Sequence, residues 1–217
     1  HQKASGYSLE DNASAKAWDP STRKVVNYKV SHNSYSLGAN YALSRDLSLF
    51  ARASDGVAFS ADRLLYGTPL DGTVPISINQ IQQQEAGAKW RGNGMSVFAT
   101  VFNAKTKESN YEATTQKFTS NKYSSSGLEL EGVWNLGSFR LAGGATFTHA
   151  KITESNDAST VGKKPRRQAD FVFQLAPSFT FDALDIGAAL VGTGKSYGDD
   201  ANTITMPAFT TVNASPR

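Results

Sequence analysis

The chain has 217 residues, no cysteine, a formal charge of +3 and a mean hydropathy of −0.39. No run of about 18 apolar residues occurs, so it is not a helical membrane protein, and without cysteine there is no thiol nucleophile. A β-barrel would pass that scan unseen, because its strands alternate and carry a weak signal each.

The segments that alternate come in pairs. "SYSLGANYALSRDLSLFARAS" holds two strands about Ser44-Arg45-Asp46, pairing Leu43 with Leu47, Tyr41 with Leu49 and Ala39 with Ala51. "EAGAKWRGNGMSVFATVF" turns at Asn93-Gly94, a strong hairpin signal because a type I′ turn needs positive φ at both central residues. Here Trp90 faces Val97, which leaves Phe98 and Phe102 on the other side. "GLELEGVWNLGSFRLAGGATF" is expected to turn at Leu136-Gly137, with Trp134 opposite Phe139 and Leu130 opposite Gly143. "DFVFQLAPSFTFDALDIGAAL" puts Phe171, Phe173, Leu175, Pro177, Phe179 and Phe181 on one side. Its turn is expected at Ala183-Leu184, with Phe181 opposite Ile186. Pro177 conflicts with a paired strand, since it has no N–H, and predicts a broken ladder or a shorter strand.

The connections between hairpins differ in kind. Asp55 to Ser77, Lys105 to Tyr123, Thr153 to Gln168 and Ser196 to Asn202 read as long, polar loops. Tight turns at one end of a sheet and long loops at the other are the pattern of an outer-membrane barrel. Charge follows the same division. The apolar faces of the strands carry no charge, whereas Arg52, Glu85, Lys89, Glu129, Glu131 and Arg140 all fall on the opposite faces. A Lys or Arg facing lipid at mid-membrane costs about 2–4 kcal/mol, so a bilayer enforces this segregation. A soluble sandwich would enforce it too. Aromatic placement separates the two: Tyr41, Trp90, Trp134, Phe139 and Phe181 flank the tight turns, where an interfacial girdle belongs. The predicted fold is therefore all-β, an antiparallel up-and-down transmembrane β-barrel.

No catalytic constellation is visible. His1, His32 and His149 are far apart and suggest no metal site. "GTGKS" at 192–196 lacks Walker spacing and reads as glycines flanking a strand. "KKPRR" at 163–167 is broken by Pro165 and lacks interleaved aromatics, so it reads as a solvated loop and not a nucleic-acid site. Asp199 and Asp200 read as turn-forming, with calcium binding the minor alternative.

With these segments in place, the chain resembles the barrel of TonB-dependent outer-membrane receptors. The resemblance is carried by "YSLGANYALSRDLSLFARASDGVAFSADR", "EAGAKWRGNGMSVFATVFNAKTKESNYE", "SSGLELEGVWNLGSFRLAGGATFTHAKI", "GKKPRRQADFVFQLAPSFTF" and "GTGKSYGDDANTITMPAFTTVNAS", in that order. It implies that residues 1–217 are part of a barrel of about 22 strands, contributing about ten of them. The ends "HQKASGYSLED" and "TTVNASPR" read as cuts, so the N-terminal plug and the closing C-terminal strand are expected outside this sequence. The implied function is energy-coupled uptake of a scarce nutrient, foremost a ferric siderophore, with no enzyme activity and no cofactor. The implied partners are outer-membrane lipid, the TonB energy-coupling complex acting through the plug, and the small-molecule ligand. Arg52 on the lumen wall and Tyr66, Tyr111, Tyr123, Arg166 and Arg167 toward the loops are the candidate ligand contacts, because aromatic faces and guanidinium donors suit an anionic chelate. A passive porin or autotransporter-type barrel and a soluble β-rich adhesin are the alternatives.

Overall fold

The computed structural model describes residues 2–8, 24–59, 78–112, 117–182 and 184–216. Strands β1 (Gln2–Ser8) and β2 (Lys24–Val30) pair with each other. Then come β3 (Tyr35–Ala42), β4 (Leu47–Phe59), β5 (Ile78–Gly92), β6 (Met95–Glu112), β7 (Lys117–Leu136), β8 (Phe139–Glu154), β9 (Phe171–Phe181) and β10 (Leu184–Thr193). Two short strands, β11 (Ser196–Tyr197) and β12 (Thr205–Met206), form a small hairpin before β13 (Phe209–Pro216). β3 to β10 and β13 make one nine-stranded antiparallel sheet in which neighbours in sequence are neighbours in space.

The turn chemistry sets the hairpins. Asn93 and Gly94 both have positive φ, 49° and 75°, as a type I′ turn requires, and Trp90 faces Val97. Leu43 bonds back to Leu47, and Tyr41 faces Leu49 as expected. Two expected registers are wrong by two residues. Gly137 takes the positive φ at the first central position, so the turn is Gly137-Ser138 and Leu136 faces Phe139; Trp134 faces Leu141. Likewise Asp182 takes φ 41° and Phe181 faces Leu184, with Ile186 opposite Phe179. Both errors are even, so every side chain kept its face.

Three of the tight turns hydrogen-bond to the next strand, which runs past them. Asp46 accepts from the Arg91 N–H at 2.8 Å, Gly94 from Asn135 at 2.9 Å and Ser138 from Thr180 at 3.0 Å. Successive turns therefore step along the sheet, the stagger that tilted barrel strands need. Pro177 stays inside β9, facing Leu141 on β8, but the β9–β10 ladder passes from Gly187–Ser178 to Leu190–Leu175 and skips it. The missing N–H is accommodated by that one gap.

No second layer covers the nine-stranded sheet among the described residues. Among the described residues the buried hydrophobic side chains are Ala104, Ala150, Ile152 and Ala169, while Leu37 is 74%, Phe181 54% and Val212 65% exposed. A water-soluble sandwich would bury its oily face beneath another sheet; the row from Phe171 to Phe181 is half-buried to exposed, with none of it fully buried, as lipid contact demands. On the same face Trp134 meets Phe139 edge-on at 6.2 Å and Phe179 lies 4.4 Å from Phe181 near the turns. At the other edge of this apolar belt, Phe147, Phe171 and Phe173 form a second aromatic row, at 4.7 and 5.6 Å.

The region Lys105 to Tyr123 is not a loop: β6 runs to Glu112 and β7 restarts at Lys117. Its polarity reflects strands that project beyond the belt into water. The 155–170 segment is a long connection, as expected, and carries one 3-10 turn, Ala158–Thr160.

Candidate functional site

The long-loop end is organised by a clasp between two connections. The segment 155–170 folds back on β8: Ile152 donates to Lys163 O and accepts from the Gly162 N–H, both at 2.8 Å. Ile152 is fully buried under it, with Ala150, Thr160 and Ala169 buried beside it. The second connection, 194–208, reaches across. Lys164 N–H donates to Asn202 Oδ1 at 3.1 Å, and Asn202 Nδ2 donates back to Lys164 O at 2.8 Å. Arg166 N–H donates to Asp200 Oδ1 at 2.8 Å, Arg167 N–H to Tyr197 O at 2.6 Å, and Lys163 Nζ to Ala201 O at 2.9 Å.

The consequence is chemical. Arg166 and Arg167 are gripped by their main chain, so both exposed guanidinium groups are left without a partner among the described residues. Arg167 has φ 61°, a left-handed conformation that is uncommon for a long side chain and is held by the clasp. Asp199 is consumed by its own turn. It accepts from Thr203 Oγ1 at 2.6 Å, from Thr203 N–H at 2.9 Å and from Ile204 N–H at 3.0 Å. The Thr203 hydroxyl, then the Ile204 and Thr203 amides, hold its carboxyl below the usual aspartate range. A carboxylate surrounded by donors is an anchor and not a cation ligand, and no cluster of metal-ligating groups occurs among the described residues. Asp157 plays the same part at the 3-10 turn, lowered by the Ser159 hydroxyl and amide.

The other candidates fall apart from this pair. Tyr123 lies at a β-bulge in β7, opposite Ile152, and its hydroxyl accepts from Asn121 Nδ2 at 3.1 Å. Tyr111 lies in β6 opposite Phe118, and Tyr66 lies outside the described residues. Arg52 is four strands from β8, about 19 Å across the sheet, and donates to Ser36 Oγ at 3.1 Å. So the fold gathers Arg166 and Arg167, sets Tyr123 on the wall beneath them, and leaves Arg52 apart. The residues that build the clasp, Asn202 and Asp200, were not expected as ligand contacts; "GDD" read as turn-forming with calcium binding the minor alternative, and the partner of Asn202, 38 residues earlier, is invisible locally.

The lumen wall is the second surface. Arg52 faces Glu85 in the ladder, yet neither they nor Lys89, Glu129, Glu131 and Arg140 form an ion pair among the described residues. Lys89 instead lies 4.9 Å from the Phe50 ring centre and 6.0 Å from that of Phe98. The wall thus carries charges that meet neutral partners and not one another within this sheet.

The sequence model of a family described as "TonB dependent receptor-like, beta-barrel" matches residues 6–216. The chain belongs to that family. A TonB-dependent receptor barrel is an outer-membrane structure and not an enzyme, and the bare apolar belt is its lipid-facing side. The ferrioxamine receptor of Yersinia enterocolitica is 32% identical over 101 residues, covering 44% of this chain and 14% of that protein. The ferric yersiniabactin uptake receptor FyuA from Yersinia pestis superposes with a TM-score of 0.73 at 15% identity, over 89% of this chain and 31% of its own. The ferric citrate transporter FecA in its unliganded form gives 0.69 at 17% identity, over 89% and 31%. BauA, the ferric preacinetobactin receptor from Acinetobacter baumannii, gives 0.68 at 15%, over 89% and 29%. The TonB-dependent receptor segment described here thus spans under a third of those relatives.

Proposed function

We propose that this segment is the ligand-capturing part of the barrel wall in a receptor for an anionic ferric siderophore. The single observation that carries this is the pair of free guanidiniums at Arg166 and Arg167, presented by a clasp that grips their main chain. Fork-shaped donors suit the carboxylate, hydroxamate or catecholate oxygens of an iron chelate, and Tyr123 adds an aromatic face nearby. The relatives named as receptors for ferric siderophores and ferric citrate support this ligand class. In the full receptor, a plug inside the barrel meets the lumen charges, and the TonB complex pulls on it to release the ligand inward.

The test is binding of ferric siderophores to the full receptor carrying Arg166→Gln and Arg167→Gln. Loss of a charge-assisted hydrogen bond of about 1.5–3 kcal/mol per arginine predicts affinity falling by about tenfold or more for each. Unchanged affinity across a panel of siderophores would remove these residues from the site. A passive pore predicts steady conductance without energy coupling, which measurement of the full receptor in planar bilayers decides.

A further inference from the structure

The outward face changes chemistry abruptly above the belt. Ala86, Val101, Leu128 and Phe147 give way to a row of Gln84, Asn103, Ser126 and His149. Beyond that row lies a patch of lysines. Lys105 and Lys151 share one ladder row on either side of Ser124, and Lys107 faces Lys122 in the next outward row. With strands about 4.8 Å apart and same-face residues about 6.7 Å apart, the four stems are rooted within roughly 12 Å. All four lysines are exposed, and they border a hollow of about 560 Å³.

Like charges set opposite one another across a ladder are destabilising, so the patch calls for an anion. The described residues supply too few. Glu154 pairs with Lys122 at 2.7 Å. Asp55, on the same face, is buried and already occupied: His32 Nε2 and Gln82 Nε2 lie at 2.7 Å and Gln80 Nε2 at 3.0 Å from its oxygens. Lys105, Lys107 and Lys151 have no hydrogen-bond or ion-pair partner among the described residues.

Height identifies the anion. From Val101 to Lys105 is about 13 Å along a strand, or about 10 Å along the membrane normal at barrel tilt. The headgroup layer on each side is about 5–8 Å deep, and a lysine stem can bend back toward it. The ammonium groups therefore stand at the phosphate level of the leaflet on the long-loop, extracellular side. We propose that this patch binds the phosphate headgroup of an anionic lipid whose acyl chains lie on the Val101, Leu128 and Phe147 stretch of the belt.

The test uses the full receptor in mild detergent, with lipid retention read by native mass spectrometry. The probes are phosphatidic acid and a diacylglycerol with the same chains. Replacing Lys105, Lys107 and Lys151 by Gln is expected to weaken phosphatidic acid retention by at least about tenfold, while three Arg replacements keep it. Equal retention by the Gln variant would overturn the proposal, as would diacylglycerol holding as well as phosphatidic acid. Displacement of the lipid by inorganic phosphate at the same concentration would assign the patch to free anions and overturn it too. If the triple Gln variant does not reach the folded barrel, Glu154→Gln gives an independent reading. Freeing Lys122 should raise retention by about fivefold, and no rise would sink the idea.

Discussion

Asn202 and Lys164 hold each other by a reciprocal pair of hydrogen bonds, amide to carbonyl at 2.8 Å and main-chain N–H to amide oxygen at 3.1 Å. Asn202 has φ 57°, a conformation asparagine tolerates better than most residues, so one side chain meets both demands. Asn202→Gly keeps the backbone and removes the bonds. It should loosen loop closure by about 1–3 kcal/mol, with faster hydrogen exchange at the Lys164 and Arg167 amides. The barrel's unfolding midpoint should not move, because the clasp lies outside the strand ladder.

Glycines let the lumen wall carry large rings. Phe50 faces Gly87 and Phe102 faces Gly127 across neighbouring strands, and a Cβ at either glycine would come within 2.6 Å of the ring. Gly87→Ala and Gly127→Ala should each destabilise the folded barrel by about 1–3 kcal/mol, measured by reversible unfolding in urea with lipid present. Gly137→Ala should act differently. Nothing lies within 4 Å of its Cβ, so its cost is the strain of φ 56°, about 1 kcal/mol.

Adjacent residues on one strand should respond oppositely to the same change. Leu130 faces the belt and Glu129 the lumen. Leu130→Arg should cost about 2–4 kcal/mol of folding into a bilayer, and Glu129→Arg well under 1 kcal/mol. Similar costs for both would mean that the belt does not face lipid.

Acid should loosen the 199–204 turn in a defined direction. The Asp199 carboxyl is held below its ordinary range, so its contribution is complete above the unfolded aspartate pKa, about 3.9, and is lost as pH falls through the lowered folded value. Amide exchange at Thr203 and Ile204 should therefore quicken below about pH 4. Asp199→Asn should flatten that dependence; an unchanged acid response in this variant would assign it elsewhere.

Alternation, turn residues and charge segregation all act between neighbours in sequence, and they determined the all-β class, the assignment of each side chain to a face, and the membrane reading. Gly137 and Asp182 escaped because the choice of which residue takes positive φ depends on how the flanking strands continue, which shifted two hairpins by two residues. The strands beyond the belt were read as loops between Lys105 and Tyr123 because polarity reports solvent and not backbone conformation. Only the tertiary structure could set Asn202 against Lys164, or gather Lys105, Lys107, Lys122 and Lys151 from three strands onto one outward patch. Those contacts join residues far apart in the chain, and nothing local encodes which strands will lie side by side.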